Sequence, residues 1–64
     1  MEFEEGKKVK LDYDTGIVID AYQDGTLALI EWDSDGEIEK WDIETFSLGG
    51  GELLKQNKDE RTNN

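Results

Sequence analysis

The 64-residue chain carries 17 Asp and Glu against 7 Lys and Arg, a formal net charge of −10, and contains no His, Cys or Pro. Those absences exclude disulfide staples, thiolate chemistry and every imidazole route to general base catalysis or zinc binding. The length provides for one small domain with a thin core, burying only about 60% of the unfolded surface. No apolar run approaches the ~20 residues of a membrane span, and no signal-peptide pattern is present, so the expectation is a soluble, cytoplasmic protein.

In chain order, Met1 to Gly6 reads as a lead-in whose Phe3 tucks against the core. Lys7 to Tyr13 alternates strictly, with Val9, Leu11 and Tyr13 on one face and Lys8, Lys10 and Asp12 on the other, which predicts a half-buried strand. Asp14-Thr15-Gly16 reads as a turn. Ile17 to Tyr22 is β-branched and aromatic on both faces, Val18 and Tyr22 lying opposite Ile17, Ile19 and Ala21, as expected of a central strand. Asp24-Gly25 is a hairpin signal. Leu27 to Trp32 is a third strand, with Ala28, Ile30 and Trp32 on one face. Asp35-Gly36 is the next turn, and Ile38 to Trp41 a fourth strand. Asp42 to Thr45 reads as a short helical turn, and Phe46 and Leu48 as a brief closing strand. Gly49-Gly50-Gly51 reads as a flexible joint. Residues 1–48 are therefore expected to form the domain. Residues 49–64 are expected to be a Gly-rich joint and a polar, disordered tail, with one helical turn between Glu52 and Lys58.

The charge is uneven. Residues 1–48 hold 14 acids against 4 bases, whereas residues 49–64 hold 3 of each. The acidity belongs to the folded part, where like charges repel. Acidic surfaces also keep proteins soluble. Binding to phosphate needs clustered Lys and Arg, and the single cluster is Lys7, Lys8 and Lys10, so direct nucleic-acid binding is disfavoured.

The elements Gly6-Lys7-Lys8-Val9, Gly16-Ile17-Val18, Ala28-Leu29-Ile30-Glu31-Trp32, Asp33-Ser34-Asp35-Gly36 and Trp41 with Phe46 and Leu48 run from Gly6 to Leu48, about two-thirds of the chain. Together they resemble the small SH3-like barrels of the Tudor, KOW and agenet type. The resemblance implies an all-β, five-stranded antiparallel barrel, with a helical turn before the fifth strand. It speaks to fold more than to function, because such barrels serve many functions. The RNA-binding version implies a basic face that this chain lacks. The Tudor-like version implies an aromatic cage for a methylated cation. Tyr13, Tyr22, Trp32, Trp41 and Phe46 supply aromatics for one, with Asp33 or Asp35 as its carboxylate. The competing reading packs these rings in the core, Trp32 foremost.

Glu31 to Asp42 resembles a calcium loop of the EF-hand kind, with Asp33, Asp35 and Glu39 as candidate ligands and Gly36 at the sharp turn. It departs from that pattern at Glu31, where Asp is expected, and at Asp42, where Glu is usual. The flanking segments read as strand rather than helix. The residues favour a hairpin with an acidic rim, no metal and no cofactor. Ser34 and Ser47 have no His or Cys partner and no phosphate-cradling loop is present, so no enzyme activity is expected.

The functional expectation is a protein-interaction module that docks an acidic surface on a basic partner, such as a nucleic-acid-binding protein. A viral or mobile-element inhibitor of such a host protein is one version of it. Glu31, Asp33, Asp35, Glu37, Glu39 and Glu44 form the expected contact set, with Tyr22 or Trp41 as aromatic anchor. The alternatives are a DNA mimic whose carboxylates stand for phosphates, a calcium or methylated-residue binder, and an accessory subunit of a larger complex.

Overall fold

The computed structural model describes residues 1–54. Five strands, β1 (Lys8–Leu11), β2 (Asp14–Tyr22), β3 (Leu27–Trp32), β4 (Ile38–Asp42) and β5 (Glu52–Leu53), are joined by one helix, α1 (Ile43–Leu48), between β4 and β5. All four pairings are antiparallel and the order across the sheet is β4-β3-β2-β1-β5. The protein is thus a mostly-β domain built on one five-stranded sheet. The sheet is not closed into the expected barrel, because β4 and β5 stand at opposite edges and do not pair. No described helix is long and apolar enough to cross a membrane.

Directly paired residues of antiparallel strands share a face. Val9, Gly16, Val18, Ala28, Ile30 and Trp32 line the inner face, and all are buried. Glu39 and Trp41 extend that face onto β4, opposite Ile30 and Ala28. Phe3 and Phe46, 2% and 0% exposed, cover it, with ring centroids 5.3 Å apart and edge-on. Trp41 packs edge-on against Phe46 in turn, at 5.5 Å. The lead-in is fixed by backbone bonds from Phe3 N–H to Gly25 O and from Gly6 N–H to Val18 O, each 2.8 Å. The two Asp-Gly signals both mark turns, and β2 lies at the centre of the sheet.

Several local expectations are corrected. The first turn is Asp12-Tyr13, since Leu11 pairs with Asp14 and Asp12 adopts φ 58°. Tyr13 therefore stands fully in solvent instead of on the core face. β2 starts at Asp14 and contains a bulge. Val18 pairs with Ile30 and Asp20 with Leu29, leaving Ile19 as the extra residue. One inserted residue inverts the alternation beyond it. Ala21 thus joins Val18 on the inner face, and Tyr22 falls on the outer face, where it pairs with Leu27.

Phe46 and Leu48 are not a strand. Asp42 caps α1, its carboxylate accepting from the Glu44 and Thr45 N–H groups, and Glu44 adds negative charge to the first turn. Phe46 turns inward while Leu48 is 84% exposed. The glycines that follow form a helix stop in place of a loose joint. Gly50 N–H bonds Ser47 O at 3.0 Å and Gly51 N–H bonds Phe46 O at 2.8 Å, with Gly50 at φ 92°. Those two bonds define a Schellman motif. Gly51 also lies so close under the Phe46 ring that no Cβ fits there. The fifth strand comes after this stop: Leu53 pairs with Val9 and Glu52 with Lys10. Glu52 and Leu53 are thus strand where a helical turn was expected. The remainder of that turn and the expected polar tail lie, from residue 55 on, outside the described residues.

Candidate functional site

The carboxylates gather where two hairpin ends meet. Gly16 pairs with Trp32, which brings the start of β2 beside the β3–β4 turn. Asp33 N–H donates to Thr15 O at 2.8 Å, and Thr15 Oγ1 donates to Asp33 Oδ2 at 2.6 Å. Ser34 Oγ donates to Asp14 Oδ2 at 2.7 Å. Within the turn, Glu37 N–H donates to Asp35 Oδ1 at 3.0 Å, Gly36 N–H to Trp32 O at 2.8 Å and Trp32 N–H to Glu37 O at 2.9 Å. Short polar side chains that satisfy nearby N–H groups hold such turns in one conformation.

The result is a shallow groove of about 230 Å³ lined by Leu11, Asp14, Trp32, Asp35, Glu37 and Glu39. Asp14 was not in the expected contact set. It reads locally as a turn residue, and its place beside Ser34 follows from strand pairing across twenty positions.

Glu39 has a structural task as well as an acidic one. Its Oε1 accepts the indole N–H of Trp32 and that of Trp41, each at 2.9 Å. The two rings sit on neighbouring strands to either side of it. Trp32 is buried and Trp41 half-buried.

The expected contact set is therefore divided. Asp33, Asp35 and Glu37 share the hairpin end, and Glu39 lies on the inner face next to them. Glu31 pairs with Ile17 and Ile38 on the outer face, and Glu44 lies in the first turn of α1, beyond the other end of β4. Of the expected anchors, Trp41 is on the inner face beside Glu39 and Tyr22 on the outer face. The cage aromatics divide: Tyr13 is exposed at a turn and Tyr22 lies on the outer face, whereas Trp32, Trp41 and Phe46 share the inner face, with Trp32 and Phe46 buried in the core. The calcium candidates do not converge. Asp33, Asp35 and Glu39 are each engaged as hydrogen-bond acceptors, and among the described residues no group of three or more carboxylates is disposed to hold a metal ion.

Lys10 lies opposite Thr15 at this end and, among the described residues, forms no ion pair. Among the described residues the ion pair present is Lys7 Nζ to Glu4 at 3.7 Å, in the lead-in. Comparison with family models, with curated proteins and with solved structures gives no match for this chain.

Proposed function

We propose that the protein is a small acidic interaction module that docks on a basic surface of a partner protein, a nucleic-acid-binding protein being the favoured class. The observation that carries this reading is the exposed hairpin end, where Asp33, Asp35 and Glu37 lie together, in no ion pair among the described residues, and Asp14 stands beside them. Their turn is held by its own hydrogen bonds, so little ordering is needed on binding. The carboxylates there speed encounter with a basic partner and make the complex sensitive to salt. The strand order, with a helix directly before β5, supports an SH3-like connectivity in an opened-out sheet. An inhibitor that acts by covering its partner's nucleic-acid site is the specific version of the proposal.

The test compares the full chain with a variant carrying Asp33→Asn, Asp35→Asn and Glu37→Gln. These amides keep the turn's acceptor atoms and remove its charge. Both proteins are used to capture partners from nuclease-treated lysate and are eluted along a salt gradient. A basic protein held by the native chain at low salt and lost by the variant is the expected result. Equal capture by both proteins, or capture of nothing basic, refutes the proposal. If the captured protein binds duplex DNA and this chain simultaneously, the DNA-mimic version is refuted.

A further inference from the structure

β4 is an edge strand with half of its backbone groups turned outward. Trp32 N–H donates to Glu37 O and Ile43 N–H to Thr26 O. Hydrogen-bonded pairs alternate along an antiparallel ladder, so between those two bonds the residues bonded to β3 are Glu39 and Trp41. The N–H and C=O groups of Ile38 and Lys40, and the Asp42 N–H, therefore point away from β3. No second strand flanks β4 among the described residues. A shallow trough of about 450 Å³ lies along this edge, lined by Glu39, Lys40, Trp41, Asp42 and Thr45. An open edge with a trough beside it is the surface on which extended chains add by main-chain hydrogen bonding.

The geometry points to this edge as the seat of an extended segment of the partner protein, rich in Lys or Arg, that adds to β4 as a further strand. This rests on the acidic docking reading above and specifies the partner's chemistry. Side chains of an added strand alternate between faces. Those on the inner face fall beside Glu37 and Glu39, which call for cations. Those on the outer face fall beside Ile38, 54% exposed, which calls for an apolar side chain. Alternating basic and apolar residues match the inner row and the Ile38 end of the outer row, which continues into Lys40 and Asp42. A second copy matches less well: pairing centred on Trp41 sets Lys40 opposite Asp42 but runs β4 of each copy into α1 of the other from Ile43 on. Two-fold antiparallel pairing centred on Ile38, Glu39 or Lys40 sets Glu37 opposite Glu39, Glu39 opposite itself, or Lys40 opposite itself. Like charges directly across strands are destabilising.

The probe is a capped peptide of alternating Lys and Val, added to the full chain at low salt. It is compared with the same peptide N-methylated at every interior residue, which keeps the charge and removes the backbone donors. Hydrogen exchange at the Ile38, Lys40 and Asp42 amides should slow by at least about tenfold with the unmodified peptide. The methylated peptide should bind at least about tenfold more weakly. Ile38→Pro removes an outward N–H and leaves the β3 ladder whole, so it should weaken the unmodified peptide alone. Equal binding of both peptides without slowed exchange in β4 overturns strand addition and leaves acidic docking standing. Failure of both peptides to bind overturns strand addition, while acidic docking stands or falls on the capture comparison above. Protection of the same amides that rises with protein concentration and needs no peptide gives the edge to a second copy, and likewise overturns the inference.

Discussion

Glu39→Met removes the acceptor that two indole N–H groups share while keeping a side chain of similar length. Trp32 is 6% exposed and its Nε1 lies 2.9 Å from Glu39 Oε1 in a partly buried setting. Leaving that donor without a partner costs about 1–3 kcal/mol. The Trp41 bond is exposed, so water replaces it and its loss costs under about 0.5 kcal/mol. Removing one negative charge from a chain at −10 works in the opposite direction by easing repulsion. Glu39→Gln loses the same charge and keeps a carbonyl oxygen with two lone pairs. The difference between the Met and Gln variants therefore isolates the hydrogen bonds, at about 1–2 kcal/mol. For a domain whose total stability is on the order of 3–10 kcal/mol, that is a large fraction. It corresponds to roughly 4–8 °C in Tm per kcal/mol. Urea unfolding followed by tryptophan emission measures it directly, with equal m-values confirming that only stability changed. Met and Gln variants that agree within about 0.3 kcal/mol would refute the clamp as a source of stability.

Gly51→Ala forces a methyl group into the Phe46 ring, which is fully buried, and should cost about 1–3 kcal/mol in urea unfolding; an unchanged midpoint would contradict the close approach. Asp42→Ala deletes the α1 cap and should cost about 1 kcal/mol, while Asp42→Asn, which retains an acceptor oxygen, should lose only a few tenths. Tyr13→Ser touches nothing in the core and should leave stability within about 0.5 kcal/mol; a larger loss in thermal unfolding would return Tyr13 to the core face that the alternation of Lys7 to Tyr13 predicts.

Local chemistry determined a large part of this fold. The alternation of Val9 and Leu11, and of Ala28, Ile30 and Trp32, marks strand faces because side chains in a strand repeat every two residues. Asp24-Gly25 and Asp35-Gly36 mark turns because their residues suit those backbone conformations. The excess of Asp and Glu over Lys and Arg between Glu31 and Glu44 is likewise plain in the sequence, and with it the acidic character of the candidate surface. Tertiary structure decided what depends on partners distant along the chain. The bulge at Ile19 falls just past the stretch where β2 pairs with both β1 and β3, and it reverses the faces of Ala21 and Tyr22. Phe46 and Leu48 have strand spacing, yet the Asp42 cap and the Gly50-Gly51 stop hold them in a helix that delivers one ring to the core. The closing strand then falls at Glu52 and Leu53, where pairing with β1 selects it. Asp14 enters the acidic groove through Ser34, and Glu39 becomes the acceptor for two indoles, because strand register brings those residues together. A spacing along the chain fixes which way a side chain points; which strand lies beside it is fixed by the pairing of the whole sheet.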